Sequence, residues 1–203
     1  MDEPLHQDTE FLVLRLTPYQ DYAVILGGIS PQYGRMSFYW RRPAGTRRNF
    51  ACVDLFRVVQ VSWRRGNRDI CHADEISPVA DYGALCRHPA GYMAACEIAR
   101  FALDNVLPGC AMPEFFQALR VAFVRLADGR LAADALKTCV GLVFLNEGGW
   151  MSSVQLDPAS AAQCELLLRM AAGGDIPALT DENWRQLWNW TVGRLLAAEC
   201  KVC

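Results

Sequence analysis

Arg35-Met36-Ser37-Phe38-Tyr39-Trp40-Arg41-Arg42, followed by Pro43-Ala44-Gly45, reads as a strand that runs into a turn. Successive strand residues face opposite sides. Met36, Phe38 and Trp40 therefore share one face, and Arg35, Ser37, Tyr39 and Arg41 share the other. The first face belongs in a core. The second sets cations around a phenol ring, the combination that holds a single-stranded nucleic acid, because cations follow the backbone while a ring stacks on a base.

Similar segments lie on both sides of this strand. Upstream, Phe11-Leu12-Val13-Leu14-Arg15-Leu16 stops at Thr17-Pro18, and Tyr22-Ala23-Val24-Ile25-Leu26 stops at Gly27-Gly28. Downstream, residues 53–63 precede Arg65-Gly66-Asn67, and a fifth strand is predicted over 68–73. Five short β-branched and aromatic runs separated by turn formers predict a small antiparallel barrel or sandwich over residues 1–77. After Ser77-Pro78 the apolar period lengthens to three and four, as in residues 92–106 and 114–126, which predicts amphipathic helices. Leu107-Pro108-Gly109, Asp128-Gly129, Gly148-Gly149 and Gly173-Gly174 read as helix stops. Asp157-Pro158 and Thr180-Asp181-Glu182 read as helix starts. Trp184, Trp188 and Leu195 share one helical stripe and are predicted to pack in a core. The predicted class is α+β: a five-stranded barrel, then an α-helical bundle over 78–203.

The 203 residues are 52% hydrophobic with a net charge of -2, which excludes a disordered or collagen-like chain. That charge averages unlike segments. Residues 30–70 hold nine arginines and two acids, a local +7, while the flanks are acidic at -4 and -5. The loop carrying Arg41, Arg42, Arg47 and Arg48 is one cluster, and Arg64, Arg65 and Arg68 form a second. If both lie at one rim, their charges sum into a patch that attracts polyanions despite the acidic total.

No run approaches the roughly 18 apolar residues of a membrane span, and Met1-Asp2-Glu3-Pro4 lacks the basic and then apolar character of a secretory signal. A cytoplasmic protein without a membrane partner is expected. The nine cysteines, an odd number set mostly in apolar runs such as Met93-Ala94-Ala95-Cys96, are expected to be small buried hydrophobes. Zinc is not expected. Cys71 and His72 alternate on a strand, Cys86 and His88 diverge on a helix, and Cys200-Lys201-Val202-Cys203 has no matching second pair. Phosphate-loop, dinucleotide, nucleophile-elbow and zinc-protease motifs are all missing, so neither a catalytic residue nor a cofactor is expected.

The order of features resembles the RecO family of bacterial recombination mediators. The resemblance is carried by Glu10-Phe11-Leu12-Val13-Leu14, Pro18-Tyr19-Gln20-Asp21-Tyr22, Ser30-Pro31-Gln32-Tyr33-Gly34-Arg35, Asp54-Leu55-Phe56 and Ala90-Gly91-Tyr92. Two departures stand out. The usual glycine-alanine-arginine stretch is replaced by Tyr39-Trp40-Arg41-Arg42, and the four-cysteine zinc module of many members has no counterpart, since only Cys164 lies between Gly148 and Asp181. Metal binding is therefore not carried over. The resemblance implies an oligonucleotide-binding (OB) fold barrel before the helical domain, binding of single- and double-stranded DNA, annealing of strands coated by single-stranded-DNA-binding protein (SSB), and RecA loading with RecR. It makes Arg35, Tyr39, Arg41, Arg42, Arg47, Arg48, Arg64, Arg65 and Arg68 the expected DNA contacts. It also implies a helical groove for the SSB C-terminal tail, with Phe116, Arg120, Phe123, Arg125 and Arg130 as candidates, although a solvated helix face accounts for the same arginines. The alternative is an interaction module that docks such a tail or another partner without binding DNA.

Overall fold

A computed structural model describes residues 6–19, 22–41, 53–64, 69–129 and 131–202. The class is α+β: five strands, β1 (His6–Tyr19), β2 (Ala23–Ser30), β3 (Gly34–Arg41), β4 (Arg57–Arg64) and β5 (Cys71–Asp81), precede five helices. The helices are α1 (Pro89–Asn105), α2 (Pro113–Asp128), α3 (Ala133–Glu147), α4 (Pro158–Ala171) and α5 (Asp181–Ala197). Among the described residues no helix is long and apolar enough to cross a membrane.

The strands form a closed ring in the order β1-β2-β3-β5-β4, with β4 returning to β1. Four contacts are antiparallel and the β3–β5 contact is parallel, a departure from the all-antiparallel expectation. Phe11, Val13, Val24, Leu26, Phe38, Trp40, Val59, Val61 and Trp63 fill the interior, so the alternation read from residues 35–41 holds. The inward set packs edge to face, with the Phe11 and Phe38 ring centroids 4.9 Å apart.

Three boundaries differ from expectation. Gly27-Gly28 lies inside β2 because close packing requires it there: a Cβ on Gly28 would lie 2.0 Å from the Leu12 carbonyl oxygen. The fourth strand starts at Arg57 rather than residue 53. Ahead of it, the Asp54 carboxylate accepts the Leu55 N–H, and Phe56 turns the chain at φ 59°. The fifth strand begins at Cys71 and continues through Pro78, which faces Val59 beside a bulge. A proline there removes no ladder bond from a central strand, because β5 pairs with β3 only at Cys71 and His72.

Contacts divide the chain into Met1–Gly83 with Val106–Pro113, and Ala84–Asn105 with Glu114–Cys203. A single break after residue 77 does not anticipate the return of Val106–Pro113. It joins the strand unit through Gly34, at φ 65°, whose missing side chain admits the Leu107 and Cys110 carbonyls; Gly109 N–H also donates to Tyr33.

In the helical unit, α3 buries residues around its whole circumference, from Ala135 to Leu145, as a central helix does. Phe101, Phe115 and Phe144 meet edge to face beside it. Gly141 lets α5 approach at Thr191 and Leu195; of the predicted stripe Trp184 and Leu195 are buried and Trp188 is half-buried, while Thr191 is buried beside them. Asp157 and Thr180 cap α4 and α5.

The cysteine expectation needs correction. Cys139 is buried, but Cys86, Cys96 and Cys110 are exposed. In the run Met93-Ala94-Ala95-Cys96 the helical period buries the two alanines and turns Met93 and Cys96 outward. Burial pushes the Cys139 thiol up to about 12, against the opposing charge of Arg125. Brief iodoacetamide treatment of the native protein near pH 8, read by peptide mass spectrometry, should therefore modify Cys86, Cys96 and Cys110 and spare Cys139. Equal labelling of Cys139 would contradict the placement of α3.

Candidate nucleic-acid interface

Strand register assembles the outward residues into a band. One row runs His6–Arg64–His72–Tyr39–Ile25–Thr17 across β1, β4, β5, β3, β2 and the far half of β1. The next row sets Tyr19 beside Ala23 and Arg41, and the row on the other side sets Arg15 beside Gly27 and Ser37. Residues distant in sequence thereby share one surface. Tyr39 is its centre, with ring centroids 5.8 Å from Tyr19 and 5.2 Å from His72, both edge on.

The band is open. Tyr19 is 46% exposed and Tyr22, at the start of the next strand, 65%; Arg15, Thr17, Arg41 and His72 are exposed too. The Arg15 side chain lies over Gly27, where a Cβ would stand 3.2 Å from the Arg15 Nε. The guanidinium stem thus lies along the sheet, between the small residues and solvent. Toward the other end of the ring the outward positions Leu12, Ile29 and Val58 are fully buried, which confines the open face to this half. Among the described residues, Asp8 and Glu10 lie on the first half of β1, and Asp74 and Glu75 lie beyond His72 on β5, where Asp74 meets Arg64.

Of the residues expected to contact DNA, Arg35, Tyr39, Arg41 and Arg64 lie among the described residues. Arg42, Arg47, Arg48, Arg65 and Arg68 lie outside them. Arg35, Tyr39 and Arg41 occupy the outward face of β3 as the alternation requires. Arg64 joins the same band through His72, but it is already engaged. Its Nε and Nη2 donate to Asp74 Oδ2 and Oδ1 at 2.9 and 2.6 Å. Those hydrogen bonds raise the Arg64 guanidinium above its ordinary range, so it stays cationic. Arg15, Tyr19 and His72 were not among the expected contacts. A signal for the first two exists in the alternation of Arg15, Thr17 and Tyr19 against Leu16, whereas His72 is placed only by the β3–β5 pairing.

The expected groove in the helical unit is not formed by its candidates. Phe123 is fully buried and Phe116 nearly so, both on the core face of α2. Arg120 lies over the Phe116 ring at 6.0 Å, and Arg125 donates to the Gly174 carbonyl beyond α4. Arg130 lies outside the described residues. Phe116 and Phe123 thus belong to the buried, three-and-four-spaced face of α2 rather than to an open groove.

Among the described residues no three histidine, cysteine, aspartate or glutamate side chains gather as a metal site requires. No protein-family model matches the chain, and no curated protein matches it significantly. Fold and surface together define a closed five-stranded ring with an aromatic and cationic outer band, joined to a helical unit.

Proposed function

We propose that this protein binds nucleic acid on the outer band and acts as a RecO-like recombination mediator in DNA repair. The observation that carries the reading is Tyr39 set between Tyr19 and His72 with Arg15 and Arg41 on the adjoining rows. Exposed rings offer faces to unpaired bases and guanidinium groups follow the phosphates, which favours single strands and still permits duplex contact. The strand order supports an OB-fold barrel, whose second and third strands and whose loops after the first and fourth strands take oligonucleotides. In this chain those loops begin beside Tyr19 and Arg64.

On this reading the protein works in the cytoplasm by positioning and exchange, with no covalent step. It anneals SSB-coated strands and assists RecA loading with RecR, and the SSB tail is a second partner. Docking of that tail without DNA is the less favoured reading, because Phe116 and Phe123 are core residues.

Arg15→Ala combined with Arg41→Ala tests the electrostatic half. Fluorescence anisotropy of a labelled single-stranded oligonucleotide should show roughly tenfold weaker binding at low salt. The slope of log K against log salt should shrink by about 1.4, or 0.7 per lost phosphate contact. A double variant that binds with the parent's affinity and slope would place the contacts elsewhere.

A further inference from the structure

We infer that Asp74 is a built-in competitor for phosphate: it holds the Arg64 guanidinium, and a bound strand takes Arg64 over by exchanging one anion for the other. The inference rests on the nucleic-acid reading of the outer band. Arg64 and Asp74 form a two-bonded fork, through Nε to Oδ2 and Nη2 to Oδ1. A phosphodiester presents two oxygens to the same fork, so the carboxylate occupies the place a phosphate would take.

The placement of Asp74 is specific. Ser62 pairs with Glu75 and Trp63 with Ala73, which makes Asp74 the extra residue of a bulge. A bulge re-aims the side chain it adds, and here the carboxylate meets Arg64, one row from His72. Arg64 in turn lies two strands from Tyr39, about 10 Å across the sheet. The pair is open, at 47% and 26% side-chain exposure, so anion exchange needs no unfolding. His6 Nδ1 lies 3.6 Å from the same carboxylate and remains beside it when Arg64 swings away. By contrast, Arg15 and Arg41 have no ion pair among the described residues.

Exchange has a measurable signature. While Asp74 is present, transfer of Arg64 to phosphate leaves a carboxylate to be neutralised, so this contact adds little to net ion release. Asp74→Asn removes that cost. Single-stranded binding should tighten roughly two- to fivefold, the range of an exposed pair, and the salt slope should steepen by about 0.7.

The experiment compares the parent, Asp74→Asn, Asp74→Ser, Glu75→Gln and Arg64→Ala/Asp74→Asn on one labelled oligonucleotide across a salt series. Circular dichroism verifies that each variant is folded. The inference expects both Asp74 variants to gain affinity, Glu75→Gln to gain less than either, and the Arg64→Ala/Asp74→Asn chain to lose the gain. It is overturned if the Asp74 variants bind no tighter than the parent, if Glu75→Gln matches them, or if the gain survives without Arg64. A parent that does not bind at all fails the nucleic-acid reading itself, an outcome distinct from a binding parent whose Asp74 variants are unchanged.

Discussion

Gly28→Val is expected to abolish cooperative folding of the strand unit, whereas Gly27→Ala one residue earlier is expected to be tolerated. The difference lies in what each new side chain meets. At Gly28 the Cβ would stand 2.0 Å from the Leu12 carbonyl oxygen and 2.8 Å from the Phe11 ring, at the place where β1 shifts register between Val13 and Arg15. A carbonyl in a paired strand cannot move aside without parting β1 from β2, and that seam helps to close the ring. The cost is on the order of 4 kcal/mol or more, a large part of the 5–15 kcal/mol that holds a typical domain. At Gly27 the neighbour is the Arg15 side chain, which is long and exposed, so alanine should cost within about 1 kcal/mol. Urea unfolding followed by tryptophan emission reads both, because Trp40 and Trp63 lie inside the ring. A Gly28→Val chain as stable as the parent would contradict the β1–β2 seam.

Tyr19→Ala combined with Tyr39→Ala should weaken single-stranded binding at least 30-fold while changing duplex binding less than threefold. Stacking on a ring contributes about 1–3 kcal/mol per base, and only unpaired bases can use it. The two rings form one contact at 5.8 Å, so their losses should be coupled: after the first substitution, the second should cost less than it does alone. Both positions are at least partly exposed, and neither ring belongs to the interior set, so the fold should survive. Parallel anisotropy titrations with a single strand and its duplex separate stacking from charge. Equal losses on both would assign the tyrosines a structural role.

These predictions depend on residues of unequal legibility. The two faces of residues 35–41 could be read directly, because a half-buried strand writes its pleat into alternation. The helical stripe of Trp184, Trp188 and Leu195 was legible for the same reason at a longer period. Gly27-Gly28 read as a turn since glycine is ordinary there; that β1 passes within contact distance of Gly28 is a tertiary fact. The continuation of β5 through Pro78 was hidden because a proline normally ends a strand, and its tolerance depends on which neighbour pairs on which side. Tyr39 could be singled out alone, but its neighbours Tyr19 and His72 are brought to it by register between strands far apart in sequence. The Arg64–Asp74 fork was equally hidden, since a bulge and not the alternation turns Asp74 toward Arg64. Phe116 and Phe123, which the resemblance offered for a groove, are core residues: three-and-four spacing states that a helix has an apolar face and leaves open whether a partner or the core covers it.

The central claim, that the outer band binds nucleic acid through its cations and rings, is tested most directly by the salt dependence of oligonucleotide binding to the unaltered chain. Anisotropy of a labelled single strand should give a linear fall of log K with log salt, at a slope of roughly -2 to -4, as three to six neutralised phosphates require. A flat titration, or no binding at low salt, would contradict it.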